Sequence, residues 1–211
     1  MNLFNKSFLK KSFLVFLLLI LYIYICSFTY VCEVSNNISK SVFRLHVIAN
    51  SDSDEDQNLK YKVRDCLIDY MNSLTVNISS KDEAIKIAHE HEKDFYNIAI
   101  NTIRENGYDY DVNIEIGNSY FPTKYYGDIT LPSGYYDALK VEIGSAKGQN
   151  WWCVMFPPLC FVDMSAGVVP ETSKKTIKEN LPTEEYALIS ETNNNSLNFK
   201  FKLIELFNNK F

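Results

Sequence analysis

The stretch Val42-Phe43-Arg44-Leu45-His46-Val47-Ile48 decides the fold, because β-branched and aromatic residues alternate along it. It predicts a strand in which Phe43, Leu45 and Val47 share one face and the residues between them share the other. Asn50–Asp54 follows directly and supplies the polar residues that end a strand and cap a helix. The fold therefore begins with a strand that leads into a helix.

Two helices are predicted after this strand. The first is expected from Asp54 to Leu74, on an apolar face made of Leu59, Val63, Cys66, Leu67, Tyr70, Met71 and Leu74. The second is expected to start at the capping box Ser80–Glu83 and to continue unbroken to Asn106-Gly107. Its apolar stripe is Ala84, Ile87, Ala88, His91, Phe95, Ile98, Ala99 and Ile103.

Beyond Gly107 the apolar period changes from that of a helix to that of a strand. Val112–Ile116 and Leu139–Ile143 alternate apolar with polar residues, which predicts half-buried strands. Trp151–Phe156 is apolar on both faces and is expected to be a central strand. The fold class is therefore α+β: a mostly antiparallel sheet with the helix pair packed on one face.

The C-terminal part has weaker signals. Ser165–Asn180 is expected to be a polar loop, and Thr183–Ile189 a short helix. Leu197–Leu203 alternates apolar with polar residues and is expected to close the sheet.

The N-terminus has the pattern of a membrane span or a signal segment. Ser12–Cys32 is a run of 21 residues without a charge, about 31 Å long as a helix, which matches the hydrocarbon core of a bilayer. Lys6, Lys10 and Lys11 precede the run, so the positive-inside rule sends residues 33–211 across the membrane. An uncleaved anchor and a cleaved signal both remain open. The domains expected are the segment 1–32, a polar linker at 33–41, and a single exported α+β domain at 42–211.

The charge balance argues against nucleic acid as a partner. The chain carries 21 basic and 26 acidic residues, for a net charge of −5. Residues 1–32 contain three of the lysines and no acid, so the remainder is more acidic still. An acidic surface repels a phosphate backbone.

No arrangement of residues predicts a metal, a cofactor or a complete catalytic set. His89 and His91 lie two positions apart on a helix and therefore point about 200° apart, which prevents a shared ion. Cys66 falls on the predicted apolar face, where a buried structural thiol is expected. The alternative left open is an exported hydrolase that uses His46 with Asp52 or Cys153.

Two stretches are unusually rich in polar or aromatic residues, namely Arg44–Ser53 and the aromatic turns from Phe121 to Tyr136. The first is interpreted either as a polar network between strand and helix or as a recognition surface. The second is interpreted as an exposed aromatic surface for a protein partner. The candidate partner-binding residues are Arg44, His46, Asn50, Asp52, Lys124, Tyr126 and Tyr135.

The cysteines allow at most one disulfide in the exported part, because Cys66, Cys153 and Cys160 are an odd number. Cys153 and Cys160 are close in sequence. A disulfide between them and a pair of buried thiols both remain open.

Long motifs in these stretches resemble the stage II sporulation protein R family. Arg44–Ser53, Asp56-Gln57 and Lys62–Asp65 resemble its opening, and Phe121–Lys124 with Leu131-Pro132 and Gly134-Tyr135 its middle. Its most distinctive segment is matched by Trp151–Val154 and Phe156–Asp163.

The resemblance implies a signal and carries over no catalytic residue. Members of this family are exported from the forespore of an endospore-forming bacterium into the space between the forespore and mother-cell membranes. There they activate a membrane-bound aspartic protease, which processes the pro-form of the early mother-cell sigma factor. The expected partners are that protease and, through residues 12–32 if they are not cleaved, a membrane.

Overall fold

The computed structural model describes residues 6–76, 78–158, 169 and 171–190. The elements follow one another as α1 (Lys6–Ser41), β1 (Phe43–Ile48), α2 (Asp54–Leu74), α3 (Lys81–Glu90), α4 (Glu92–Glu105), β2 (Val112–Phe121), β3 (Lys124–Tyr126), β4 (Ile129–Leu131), β5 (Gly134–Ile143), β6 (Asn150–Phe156), α5 (Glu171–Asn180) and α6 (Thr183–Ser190). The predicted closing strand Leu197–Leu203 and Cys160 lie outside the described residues.

The main sheet has the strand order β2-β5-β1-β6. β1 is parallel to β5 and antiparallel to β6, and β5 is antiparallel to β2. The α+β class with a mostly antiparallel sheet is therefore confirmed. All six residues of β1 are buried, because two strands flank it and packed layers cover both of its faces.

The prediction that Trp151–Phe156 is a central strand is wrong for the part of the chain that the structure describes. There, β6 stands at an edge of the sheet, next to β1 alone. Its last four residues are buried on both faces by the layers above and below the sheet, and its first three are half-buried. A strand that is apolar on both faces is therefore covered by a layer on each side of the sheet. This pattern does not tell whether the strand lies at the centre or at an edge of the sheet.

The first predicted helix is confirmed with its bounds, since α2 runs from Asp54 to Leu74. Ser53 is its N-cap: the Ser53 hydroxyl accepts a hydrogen bond from Asp56 N at 3.2 Å. Leu67 and Ile68 are buried, whereas Cys66 is exposed. The expectation that Cys66 is buried is wrong. The buried face of α2 includes Ile68, which the predicted stripe omitted, and Cys66 lies outside that face.

The second predicted helix is broken in two at His91, which caps α3 and precedes α4. His91 does not pack in the apolar stripe. His91 Nδ1 lies 2.9 Å from both the Tyr70 hydroxyl and Asp94 Oδ2. The break lets each half bury its own apolar residues, which are Ala84 and Ala88 in α3 and Phe95, Ala99 and Ile103 in α4.

The helices α2, α3 and α4 cover one face of the sheet, as predicted. Their apolar residues form one core with Phe43, Leu45 and Val47 of β1 and with Leu139 and Val141 of β5. At about 25 cal/mol per Å² of buried apolar surface, a core of this kind is the main stabilising contribution to the fold.

The opposite face is covered by a second core. It contains Val34 and Ile38 of α1, Phe121, residues of β3, β4 and β5, and Ile177 and Ile189 of α5 and α6. The linker predicted at 33–41 is wrong, because α1 continues through these residues and Val34 and Ile38 lie one helical turn apart against the sheet. The loop predicted at 165–180 is likewise helical at 171–180, whereas 165–168 and 170 lie outside the described residues.

The side chains from Phe8 to Tyr30 are exposed. Within the described ranges, the helix segment Phe8–Ser41 is the one that is long and apolar enough to cross a membrane. A signal sequence would have the same appearance. The structure is therefore compatible with both an uncleaved membrane anchor and a cleaved signal.

Candidate functional site

Arg44 is fully buried on the face of β1 that packs against the second core. Its guanidinium carbon lies 4.0 Å from the ring centroid of Phe121 and 4.7 Å from that of Tyr136. Arg44 Nε donates to Cys153 O at 3.3 Å, and Arg44 Nη2 donates to the Tyr126 hydroxyl at 2.5 Å. Arg44 therefore does not point toward the start of α2, and it is not available for first contact with a partner.

Tyr126 is the polar partner of this arginine and is itself only 7 % exposed. Its hydroxyl also donates to Trp152 O at 3.2 Å. Burial raises the pKa of Tyr126, and the nearby Arg44 charge opposes that rise. The expectation that Tyr126 lies on an exposed surface is wrong, because its hydroxyl is needed inside the fold to pair with a buried guanidinium.

Lys124, Trp152 and His46 form a stack that leads from the surface into the sheet. Lys124 Nζ lies 3.9 Å from the centroid of the Trp152 ring. The Trp152 ring stacks on the His46 ring at a centroid distance of 5.7 Å and an interplanar angle of 17°. Lys124 and Trp152 are half-buried, whereas His46 is 8 % exposed. The stack presents a cation on a rigid aromatic base, a combination common at protein interfaces.

His46 is held in a neutral state by its surroundings. Its Nε2 donates to Asn150 Oδ1 at 2.6 Å, and its Nδ1 is buried without a hydrogen-bond partner in the described part of the chain. Burial lowers the pKa of His46, although the Asn150 hydrogen bond acts in the opposite direction. A neutral imidazole fits the stack because it adds no second positive charge beside Lys124.

Asn50 ties the end of β1 to the start of α2 and to the turn after β5. Asn50 Nδ2 donates to Asp56 Oδ2 at 2.8 Å, and Asn50 Oδ1 accepts from Ser145 N at 2.9 Å. At Gly144, where φ is +56°, a Cβ would come within 2.5 Å of Asn50 Oδ1. This contact favours the interpretation of the stretch as a polar network that connects strand and helix.

The carboxylates at this end of the sheet have different surroundings. Desolvation disfavours the charged form of Asp56, but hydrogen bonds from Ser51 and Asn50 outweigh it and lower the pKa of Asp56. Asp52 is exposed, and its Oδ1 accepts from Gln149 N at 2.7 Å. Asp52 therefore remains accessible to a partner, whereas Asp56 stabilises the start of α2.

Tyr135 is largely accessible, with 63 % of its surface exposed. Its ring packs edge-on against Tyr120 at a centroid distance of 5.6 Å. The structure thus divides the candidates by exposure. Arg44, Tyr126 and His46 are internal, while Asn50, Asp52, Lys124 and Tyr135 reach the surface to different degrees. Their roles in binding stay predictions.

Trp152 and Asn150 were not among the predicted site residues, although they connect Lys124 to His46. Trp152 stands in a run that is apolar on both faces, so its local sequence did not mark it as a site residue. The pairing of β1 with β6 sets His46 opposite Trp152, and a register between distant segments cannot be read from local alternation.

Cys153 is disulfide-bonded, and Cys26, Cys32 and Cys66 are free. The alternative of two buried thiols is therefore wrong for Cys153, and because Cys160 lies outside the described residues, its pairing with Cys153 stays a prediction. A disulfide-bonded Cys153 offers no thiolate, so it cannot act as the nucleophile of the alternative hydrolase.

The fold and the site define an α+β protein carried on an apolar N-terminal helix, with a cation–aromatic stack at one edge of its sheet. Residues 39–166 match the family model described as Stage II sporulation protein R, and the chain belongs to that family.

A curated relative of the same name from Bacillus subtilis (strain 168) is 38% identical over 130 residues. The match covers 62% of this chain and 58% of the relative, which is less than two thirds of that protein's length. No solved structure matches the chain.

Proposed function

We propose that this chain is an exported sporulation signal that activates a membrane-bound aspartic protease of the mother cell. The protease then processes the pro-form of the early mother-cell sigma factor. The observation that carries the proposal is family membership across residues 39–166. That range contains the whole main sheet, α2 to α4 and the Lys124–Trp152–His46 stack.

Export from the forespore is supported by α1. Lysines precede its apolar run and exposed apolar side chains fill the run from Phe8 to Tyr30. A helix of this composition is inserted into membranes with its basic end in the cytoplasm. The α+β part then lies on the far side, in the space between the two membranes, as a secreted or a membrane-anchored domain.

Activation by binding is the mode that the exposed residues fit. Lys124 lies over an aromatic ring and Tyr135 is largely solvent-exposed, so both are able to contact a second protein. Large rigid aromatic groups contribute most of the binding energy at typical interfaces. We assign the protease contact to the surface around Lys124 and Tyr135, with Asp52 and Asn50 at its border.

The alternative of an exported hydrolase receives no support from the same residues. His46 binds Asn150, and its ring is covered by Trp152. Asp52 accepts a backbone hydrogen bond from Gln149, and Cys153 is disulfide-bonded. A general base needs access to a substrate proton, and His46 is only 8 % exposed.

Complementation tests the proposal. The chain is produced in the forespore of a Bacillus subtilis strain that lacks its own stage II sporulation protein R, and processing of the sigma precursor is followed by immunoblot. We expect processing to be restored by the full chain. A matched control is the chain without residues 1–32, which is expected to remain in the forespore cytoplasm. Absence of processing with a stably produced, exported full chain would contradict the proposal.

A further inference from the structure

The apolar helix enters the globular part without a flexible connection. Val34 and Ile38 of α1 are buried in the second core. The Ser35 hydroxyl donates to Ser133 O at 3.3 Å, and Lys81 Nζ donates to Ser39 O at 3.1 Å. The position of the globular part is therefore fixed relative to the end of the uncharged run.

Two exposed apolar side chains lie on segments that contact α1 at this point. Outside α1, Val76 and Tyr135 are the most exposed large hydrophobic residues of the described chain, at 76 % and 63 %. Tyr135 is two residues beyond Ser133. Val76 lies in the loop between α2 and α3, five residues before Lys81. Both segments are thus held against the same end of α1.

The depth of this point follows from helix geometry. The uncharged run ends at Cys32, and Ser35 comes three residues later, a rise of about 4.5 Å. The polar layer on each side of a bilayer's hydrocarbon core is roughly 5–7 Å thick. Ser35 and the Ser133 segment bound to it are then at the level of the lipid headgroups, where tyrosine is enriched in membrane proteins, and the Lys81 segment is bound one helical turn further on, at Ser39.

We propose that Tyr135 and Val76 contact the lipid surface from which α1 emerges, so that the globular part rests on the membrane in one orientation. This inference rests on the membrane-anchored form of the proposed function. A lipid surface is the occupant that the geometry favours, because α1 is long and apolar enough to cross a membrane and its C-terminal end is hydrogen-bonded to the segments that carry these two side chains.

Lipid-attached quenchers test the proposal on the full chain. Cys26, Cys32 and Cys66 are changed to Ser, and an environment-sensitive fluorophore is attached to Tyr135→Cys or, separately, to Val76→Cys. The chain is reconstituted in vesicles made of equal parts phosphatidylethanolamine and phosphatidylglycerol, with nitroxide on a fraction of the headgroups. The control is Asp109→Cys, an exposed position just before β2, where Val112 pairs with Ile143 at the far end of β5.

We expect quenching at positions 135 and 76 to be severalfold stronger than at 109, with melting temperatures equal to that of the parent in which Cys26, Cys32 and Cys66 are replaced by Ser. Equal quenching at all three positions in a chain that floats with the vesicles would overturn the lipid contact and leave the signalling function untouched. A chain that does not float would overturn the lipid contact and the anchored form together, while a secreted signal would still stand in the processing assay.

Discussion

The ammonium of Lys124 lies 3.9 Å from the ring centroid of Trp152, across the gap between the small β3–β4 sheet and the edge strand β6. The same indole ring stacks on His46. Lys124 is therefore positioned by a rigid aromatic ring whose support lies in the sheet, and it remains half-exposed to a partner.

Lys124→Ala is expected to weaken protease activation about fivefold, since one partly exposed charged contact to a partner contributes about 1 kcal/mol to binding. The fold should be retained, because the Trp152 ring keeps its contact with His46. Activation at limiting protein and the melting temperature measure the two effects. The matched control is Lys93→Ala, an exposed lysine on α4. Equal activation by the parent and both variants would move the interface elsewhere.

Substitution of Tyr126 is expected to lower the stability of the fold more than it lowers signalling. Tyr126→Phe removes the hydroxyl that accepts from Arg44 and leaves Arg44 Nη2 without that partner, which is expected to cost about 1–3 kcal/mol. Urea unfolding measures this loss. The control is Tyr125→Phe on the same strand, where 48 % of the side chain is exposed. If both variants unfold at the same urea concentration, the Arg44–Tyr126 contact does not stabilise the protein.

Leu67 tests the buried face of α2. Leu67→Asp places a charge at a position with 0 % exposure and is expected to cost about 3–5 kcal/mol of unfolding free energy. The adjacent exposed position supplies the control, Cys66→Asp, which should change stability little. Thermal melting distinguishes them, and a Leu67→Asp variant as stable as the parent would refute the assigned face.

Truncation separates the two functions assigned to α1. Removal of residues 1–32 is expected to abolish signalling and leave a folded domain, because Val34 and Ile38 remain. Removal of residues 1–41 also deletes these buried side chains and is expected to destabilise the domain by several kcal/mol. Circular dichroism on the two purified fragments measures the difference. Identical melting curves would mean that the end of α1 does not belong to the domain.

His46 is expected to make stability depend on pH near neutrality. Its pKa is lowered in the folded state, so the unfolded chain binds the extra proton first. The stabilising effect of the neutral imidazole is complete above the unfolded pKa of about 6.5 and is lost as pH falls through the folded pKa. Lys140, Glu142 and Arg44 also act on this group, with the two cations favouring the neutral form.

The measurement is the free energy of unfolding between pH about 7 and about 5, where one proton gives a slope of at most about 1.4 kcal/mol per pH unit. His46→Asn should flatten that slope, whereas His89→Asn on the exposed end of α3 should not. An unchanged slope in His46→Asn would show that this imidazole is not buried in the neutral form.

Local signals in the sequence predicted the helices and strands themselves better than they predicted which elements lie side by side in the fold. The bounds of α2 follow from Ser53 as a cap and from helical spacing, both of which are short-range. The break at His91 was missed because the apolar spacing continues across it. The edge position of β6 was missed because strand order depends on pairing between distant segments.

The candidate site shows the same limit. Asn50, Asp52, Lys124 and Tyr135 were predicted as binding residues from their polar or aromatic character. Arg44 and Tyr126 are buried as a hydrogen-bonded pair. The two residues are 82 positions apart, so the sequence alone could not predict that they meet in the interior. Residues 33–41 were misread from their polar composition, although the four-residue spacing of Val34 and Ile38 is helical.

The most direct test of the account is cleavage of the sigma precursor in a host that does not sporulate. The exported full chain is co-produced with the membrane-bound aspartic protease and its precursor substrate, and the cleaved product is quantified. The account predicts product when all three are present, little product without this chain, and none when the catalytic aspartates of the protease are replaced by alanine. Equal cleavage with and without this chain would contradict it.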